Sequence, residues 1–365
     1  MNLIEELTEA SSRVGAILLR VTTPEPFTRY LDELEARRSM YEPRYSRRIP
    51  GFIKMARPAE VLPGARAVVV IGYPYLLDEK PLPNDAPRGK IARIVSHGHM
   101  GAIRGARAVV RALRSRGFKA IPGIHRKEAA VRSGMGVIGK NGLVLTRDYG
   151  SWVALQAVVT DAPLSPDSPD GEYPECRDCT LCLDACPTGA LYEPGRLDPR
   201  HCITYNLTLR DMPEEFWDKT RGYILGCEDC LLVCPHNNKA TRRQGLDSLL
   251  PEVLGNRPLL SDILLLTERS FQRKVMHFTM NKLEIPRLAR FFSRHPWFAR
   301  LVKPSGSELV PETFIHASGS LSIYKRNAIL ALGQMKCSEA KPLLEGLRSD
   351  PYLRPYVLWA LSRME

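Results

Sequence analysis

Residues 176–187 read CRDCTLCLDACP and place four cysteines in a C-x2-C-x2-C-x3-C-P run. Three thiolates at this spacing can hold three corners of an iron–sulfur cubane, while the fourth is carried past it to a second cluster. A second run is therefore expected. Residues 227–235, which read CEDCLLVCP, supply it, and Cys202 lies between the two runs.

The order of these cysteines along the chain assigns them to two sets. We expect the first set to hold one 4Fe-4S cluster through Cys176, Cys179, Cys182 and Cys234. The second set would hold another 4Fe-4S cluster through Cys186, Cys202, Cys227 and Cys230. Two structural zinc sites are the alternative, because C-x2-C pairs also suit tetrahedral zinc. Zinc explains the four-cysteine run less well.

Composition favours a protein of the cytoplasm. The chain has 365 residues, and the only one of its nine cysteines outside the two sets is Cys337, so crowded thiols indicate metal ligation rather than disulfides. No apolar run approaches the roughly 18 residues of a membrane helix, and the first residues are acidic. The net charge of +12 suggests an anionic partner such as nucleic acid.

The pattern predicts three domains. Residues 1–165 form an α/β domain, with a helix over residues 1–22, a strand at Ala67–Ile71, a helix at Gly101–Arg116 and a strand at Trp152–Thr160. The basic stretch Arg37–Arg57 reads as a solvated loop that could face phosphates. Residues 166–240 form a ferredoxin-like double 4Fe-4S module.

Residues 241–365 are expected to be all α-helical. Residues 330–335 recur in part at 359–364, an offset of 29, which suggests a short HEAT-like region. The basic, aromatic stretch Pro286–Lys303 suits either exposed bases or an amphipathic helix pair with a solvated rim.

A glycine segment, SGMGVIGKNG at Ser133–Gly142, is the main candidate for ligand binding in the first domain. Glycines allow a backbone to approach a ligand closely, and Lys140 could meet an anion. The segment matches neither the dinucleotide-binding nor the P-loop pattern, and a plain turn is an equal alternative.

Several motifs together resemble the epoxyqueuosine reductases. They are GKIAR at 89–93, the glycine segment, Gly150-Ser151-Trp152, CTLCLDACPTGAL at 179–191, GCEDCLLVCPHN at 226–237 and the helical tail. Members of that family are cobalamin-dependent iron–sulfur enzymes that reduce epoxyqueuosine at the wobble position of tRNA. The resemblance implies cobalamin in the first domain, fed with electrons by the clusters. It points to cobalamin-binding residues Arg57, Gly134, Gly136, Gly139, Lys140, Asn141, Gly142 and Ser151.

This chain departs from the family pattern at the proton donor. The family carries a carboxylic acid eight residues before the glycine that is Gly134 here, and this chain has Arg126 there. A guanidinium cannot act as a general acid near neutral pH. Glu128, two residues on, is the replacement we expect. His97 and His99 could form a ligand pair, although loop histidines are the commoner case.

Three functions fit these observations. The first is reduction of an epoxyqueuosine-like nucleoside in the anticodon stem-loop of tRNA, by a monomer that takes single electrons from an external donor. The second uses the same redox core on another, anionic or halogenated, substrate, which Arg126 would favour. The third is a non-catalytic protein that transfers electrons to another corrinoid protein.

Overall fold

The computed structural model describes residues 2–46, 48–78, 82–83, 86–168, 173–243, 256–271 and 320–365, without the side chains of residues 42–45 and 97. The stretch Pro286–Lys303 therefore lies outside the described residues. So does the side chain of His97, one of the two histidines considered as ligands.

A four-stranded sheet lies at the centre of the first domain. The strands of this domain are β1 Leu18–Thr22, β2 Ala67–Pro74, β3 Lys90–Ile91, β4 Ala120–Pro122, β5 Val137–Ile138, β6 Val144–Leu145 and β7 Val153–Thr160. The sheet has the order β1-β2-β7-β4, and all its pairings are antiparallel. The strands predicted at Ala67–Ile71 and Trp152–Thr160 are confirmed as β2 and β7, so the domain is of mixed α and β structure.

Seven helices are described in this domain. They are α1 Leu3–Ser12, α2 Thr28–Ala36, α3 Arg38–Tyr45, α4 Ile49–Met55, α5 Pro58–Val61, α6 His99–Ser115 and α7 Arg126–Arg132. The helix predicted over residues 1–22 is wrong beyond Ser12, because Gly15 turns the chain at φ +83° and β1 follows. The solvated loop predicted at Arg37–Arg57 is also wrong, since α3 and α4 occupy it and Ile49 is buried.

Side chains of β2 alternate between two apolar layers, as expected for a strand buried on both faces. Val69 and Ile71 pack with α1 and α6, and the helix predicted at Gly101–Arg116 is confirmed as α6. Val68 and Val70 pack on the other side with Ala129 and other residues of α7. The anchoring of α7 on the sheet fixes the position of Arg126 at its first turn.

The cysteine module pairs with the first domain through a strand. Its elements are α8 Leu181–Asp184, β8 Leu191–Glu193, β9 Arg196–Leu197, α9 Ile203–Asn206, a 3₁₀ turn at Glu214–Lys219, β10 Tyr223–Leu225, α10 Asp229–Leu232 and α11 Pro235–Asn238. Strand β10 runs parallel to β3, and the Lys90 N–H donates to the Gly222 carbonyl at 2.8 Å. The GKIAR motif thus joins the two units.

The C-terminal residues that the structure describes are helical and share a core with the cysteine module. They form α12 Leu260–Leu264, α13 Glu268–Phe271, α14 Leu321–Gln334, α15 Lys341–Glu345 and α16 Arg354–Ser362. Leu207, Phe216 and Ile224 of the module pack in one cluster with Leu330 and Val357. None of the helices within the described ranges is long and apolar enough to cross a membrane.

Candidate functional site

The first cysteine set lines a cavity of about 270 Å³. The lining includes all four thiols predicted for that set, Cys176, Cys179, Cys182 and Cys234. Three of them surround α8, and Cys234 arrives after α10. Exposed side chains form part of the rim, namely Glu175, Arg177 and Leu181. The thiols predicted for one cluster thus surround one opening close to solvent.

The glycine segment closes one side of this cavity with Gly139, Lys140 and Asn141. The backbone N–H of Lys140 donates to the sulfur of Cys176, with N and Sγ 3.5 Å apart. Its ammonium group donates to the carbonyl of Arg177. These three residues, which the resemblance associates with cobalamin, therefore lie at the first cysteine set. Backbone donors to sulfur are one means by which a protein tunes a cluster.

The second cysteine set lies deeper. Desolvation raises the pKa of Cys202, Cys227 and Cys230, and that of Cys227 reaches about 12. Negative charge on Cys186 raises the pKa of all three further, so the four predicted thiols lie within electrostatic range of one another. In the described part of the chain, no three His, Cys, Asp or Glu side chains converge as the ligands of a single metal ion do.

Two polar contacts fasten the cysteine module to the first domain. The backbone N–H of Arg93 donates to Glu228 at 2.8 Å, and its guanidinium forms a salt bridge with the same half-buried to buried carboxylate. On the other side, Asn237 accepts from the Ser151 N–H at 2.7 Å and donates to the Ser151 hydroxyl at 2.9 Å. A Cβ on Gly150 would lie 2.3 Å from the Asn237 oxygen, so only glycine allows this approach.

Arg126 lies in a deep recess. Its side chain is accessible to solvent, yet desolvation by the surrounding protein lowers its pKa. Burial and the charge of Arg126 also lower the pKa of His99 to about 4 and that of Lys127 to about 8. We call the space around Arg126, Lys127 and His99 the Arg126 recess. Negative charge on Cys230 acts on Lys127, so this recess adjoins the second cysteine set.

The other predicted residues surround these features. Glu128 accepts hydrogen bonds from Arg29 at 2.6 and 3.1 Å, and Arg57 pairs with Glu60 at 3.2 Å near the surface. The Gly142 carbonyl accepts from the Lys127 ammonium at 2.7 Å, which links the glycine segment to the recess. Two further glycines make close backbone contacts, Gly134 with the Tyr173 hydroxyl and Gly136 with β6.

Sequence reasoning missed Glu228, Asn237 and Lys127. Glu228 stands inside the C-x2-C pair of the second run, and Asn237 follows its CPH sequence. A polar residue among cysteine ligands was therefore a usable signal for both. Lys127 is adjacent to Arg126, and no pattern distinguished it from a surface lysine.

Comparison with known proteins agrees with this geometry. Residues 175–237 match the family described as 4Fe-4S double cluster binding domain. An epoxyqueuosine reductase of Bacillus cereus is 30% identical over 332 residues, which cover 86% of this chain and 77% of the relative. The chain belongs to the epoxyqueuosine reductase family.

Solved epoxyqueuosine reductases share the fold over the whole chain. One, a complex with an epoxyqueuosine-modified tRNA-Tyr stem loop, is 27% identical with a TM-score of 0.75, covering 100% of this chain and 91% of its own. A Bacillus subtilis epoxyqueuosine reductase, 27% identical with a TM-score of 0.76 and the same coverage, has its catalytic aspartate loop swung out of the active site.

Proposed function

We propose that the protein is an oxidoreductase that reduces epoxyqueuosine in tRNA to queuosine. The observation that carries this proposal is the adjacency of the second cysteine set and the Arg126 recess, through Cys230 and Lys127. Removing an epoxide oxygen as water takes two electrons and two protons. Two 4Fe-4S clusters, each moving one electron at a time, suit this demand.

Electrons would enter at the first cysteine set. Its cavity has an exposed rim, and Leu181 and Leu232, which neighbour its cysteines in sequence, are 49% and 45% exposed. Exposed apolar side chains beside Arg177 suit a transient contact with an external single-electron donor. The desolvated second set would then pass electrons inward. This order uses Cys176, Cys179, Cys182 and Cys234 first and Cys186, Cys202, Cys227 and Cys230 second.

Cobalamin fits the Arg126 recess in two respects. The recess is open to solvent although it lies deep, and it adjoins the second cysteine set. Bound there, cobalamin would supply a cobalt centre that accepts single electrons. Gly142, whose carbonyl contacts Lys127, is the predicted cobalamin-binding residue nearest to the recess by direct contact, and Gly134 and Gly136 precede it on the same segment.

The proton source is the residue-level question that separates this chain from its relatives. Glu128 is the donor that the sequence predicts, and Arg29 engages both of its oxygens. Glu128→Gln should abolish epoxide reduction without changing iron or cobalamin content if Glu128 delivers the proton. Arg29→Gln, which frees the carboxylate, is the matched control and should retain turnover. Unchanged activity of Glu128→Gln would remove this residue from the mechanism.

Binding of tRNA is supported by the net charge of +12. Contacts between lysine or arginine and phosphates release counterions, so affinity for an anticodon stem-loop should fall steeply with salt. The remaining assignments belong to the same proposal: a cobalamin-binding domain at 1–165, a ferredoxin-like module at 166–240, a region with HEAT-like repeats at 241–365, and a monomer in the cytoplasm. Helices α14 and α16, which contact each other, contain the two copies of the 29-residue repeat.

The decisive experiment is an assay of the reconstituted protein on tRNA isolated from cells blocked at the epoxyqueuosine stage. Anaerobic reconstitution should yield about eight irons per chain, and mass spectrometry of digested tRNA should show queuosine replacing its epoxide. Cys230→Ala is the inactive control. A preparation with full iron and cobalamin that leaves epoxyqueuosine unchanged would contradict the proposal.

A second candidate has one observation in its favour. Arg126 stands where the relatives' pattern has an acid, and an arginine suits an anionic substrate. The same redox core would then reduce a small anionic or halogenated molecule. Full cofactor loading without activity on tRNA would favour this candidate.

A further inference from the structure

The Arg126 guanidinium has no partner among the residues that the structure describes. It makes no hydrogen bond, salt bridge or ring contact with any of them, although desolvation lowers its pKa. Leaving a charge in such a place costs free energy unless an opposite charge is supplied. A charged group kept in a recess against this cost indicates a ligand site.

The nearest acid is already engaged. Glu128 is two residues along α7, and Arg29 holds both of its oxygens at 2.6 and 3.1 Å. Negative charge at Cys230 acts on Lys127, whose ammonium also donates to the Gly142 carbonyl. Arg126 receives neither contact. The positive charge that remains uncompensated in the recess is therefore that of the guanidinium.

The chemistry of this group selects its ligand. A guanidinium presents parallel N–H donors in a planar fork that matches two oxygens of a phosphate or carboxylate. Lys127, next along the chain and itself cationic below a pH of about 8, adds positive potential from the same side. His99, whose pKa is lowered to about 4, is neutral near pH 7 and adds no third charge.

We propose that Arg126, with Lys127 beside it, forms a subsite for an oxyanion carried by the molecule that enters the recess. This deepens the proposed function and rests on it only in taking the recess as the reaction pocket. The oxyanion has two sources within that function, a phosphate of the tRNA backbone or the phosphodiester of the cobalamin tail. A carboxylate or phosphate of a small substrate is the source under the second candidate.

Inorganic phosphate is the probe for the test. Calorimetric titration of the anaerobic, cluster-loaded protein at constant ionic strength should show saturable phosphate binding that chloride does not reproduce. Arg126→Gln should weaken it about tenfold or more, as expected for loss of a charge-assisted bidentate contact. Arg126→Lys should be intermediate, because an ammonium keeps the charge without the fork. Arg111→Gln, which removes an exposed arginine of α6, is the matched control and should bind phosphate like the unmodified protein.

Competition then identifies the source. Loss of phosphate binding after loading with cobalamin, but not with cobinamide, which lacks the phosphate and nucleotide, assigns the oxyanion to the cofactor. Loss with an anticodon stem-loop assigns it to the tRNA, and retention with both assigns it to a small substrate.

Equal phosphate affinity in the unmodified protein, Arg126→Gln and Arg111→Gln would overturn the proposal, as would no binding beyond that of chloride. If Arg126→Gln loses its clusters, Arg126→Lys and the competition series decide, since both use protein that retains the charge. Phosphate binding is measured without turnover. Failure of the subsite and failure of epoxide reduction are therefore separate results.

Discussion

The two cysteine sets have the same ligands but different surroundings. The first lines a cavity whose rim is exposed, and the second consists of thiols that surrounding protein desolvates next to the Arg126 recess. Burial and hydrogen bonds to sulfur set the properties of otherwise similar clusters. The difference therefore implies a direction, with electrons received at the first set and delivered from the second.

The largest expected effect comes from removing one thiol of each set. Cys179→Ala and Cys230→Ala should each lose about half of roughly eight irons. With a protein electron donor, both should be inactive. With a small reductant such as dithionite, Cys179→Ala should keep turnover, because the second set can still be reduced directly.

Cys337→Ala is the control, since Cys337 lies outside both sets and contacts Glu339. Iron content and turnover of this variant should match those of the unmodified protein. Dithionite-driven turnover in Cys230→Ala but not in Cys179→Ala would reverse the proposed direction.

Arg326→Met should weaken the second set through its support. The fully buried Arg326 guanidinium donates to the carbonyls of Leu207, Leu209 and Arg210, in the segment that follows Cys202. Methionine leaves these carbonyls without that donor, so we expect a loss of about 3–5 kcal/mol in the free energy of unfolding.

The measurement is the anaerobic thermal midpoint together with iron release during heating. The midpoint should fall by several degrees, with iron leaving the second set first. Arg363→Met is the control, because Arg363 forms only exposed contacts with Asp218. Equal effects of the two substitutions would contradict a special role for Arg326.

Glu228→Gln should loosen the junction between the second set and the first domain. The carboxylate is buried and pairs with Arg93, whose side chain is 19% exposed. Removing its charge leaves Arg93 without its carboxylate partner, at a cost of about 2–3 kcal/mol. Turnover with dithionite should fall while iron stays near eight per chain. A parallel loss of iron would show that Glu228 holds the cluster rather than the junction.

Ser151→Ala should have the smallest effect and should touch the first set only. The hydroxyl of Ser151 exchanges hydrogen bonds with Asn237 three residues after Cys234. Its loss should cost about 1 kcal/mol, seen as a slightly lower thermal midpoint. Turnover with dithionite should be unchanged, whereas a fall matching that of Glu228→Gln would erase the contrast between the two sets.

Local patterns predicted those parts of the molecule that local chemistry determines. The cysteine spacing indicated a double-cluster module, which the family match over residues 175–237 confirms. Apolar periodicity found β2, β7 and α6. The run Leu18–Thr22 fits a helical and a strand period equally in so few residues, and only its pairing with β2 decides in favour of a strand.

Contacts between distant segments were beyond the sequence patterns. The glycine segment was expected to approach a ligand, but its spacing could not show that Lys140 donates to Cys176. Antiparallel order in the sheet depends on pairings such as that of β2 with β7, far apart in the chain. The isolation of Arg126 likewise depends on Arg29, which occupies the neighbouring Glu128.

The interleaving of the two sets has a consequence for biogenesis. The first set needs Cys234, and the second needs Cys227 and Cys230, so a nascent chain that ends before residue 227 carries thiols of both sets and completes neither. Cluster insertion is then a late event in synthesis. Translation stalled between the two runs would leave reduced, unmetallated thiols open to oxidation, and the cell's iron–sulfur assembly machinery would have to act on an almost finished polypeptide.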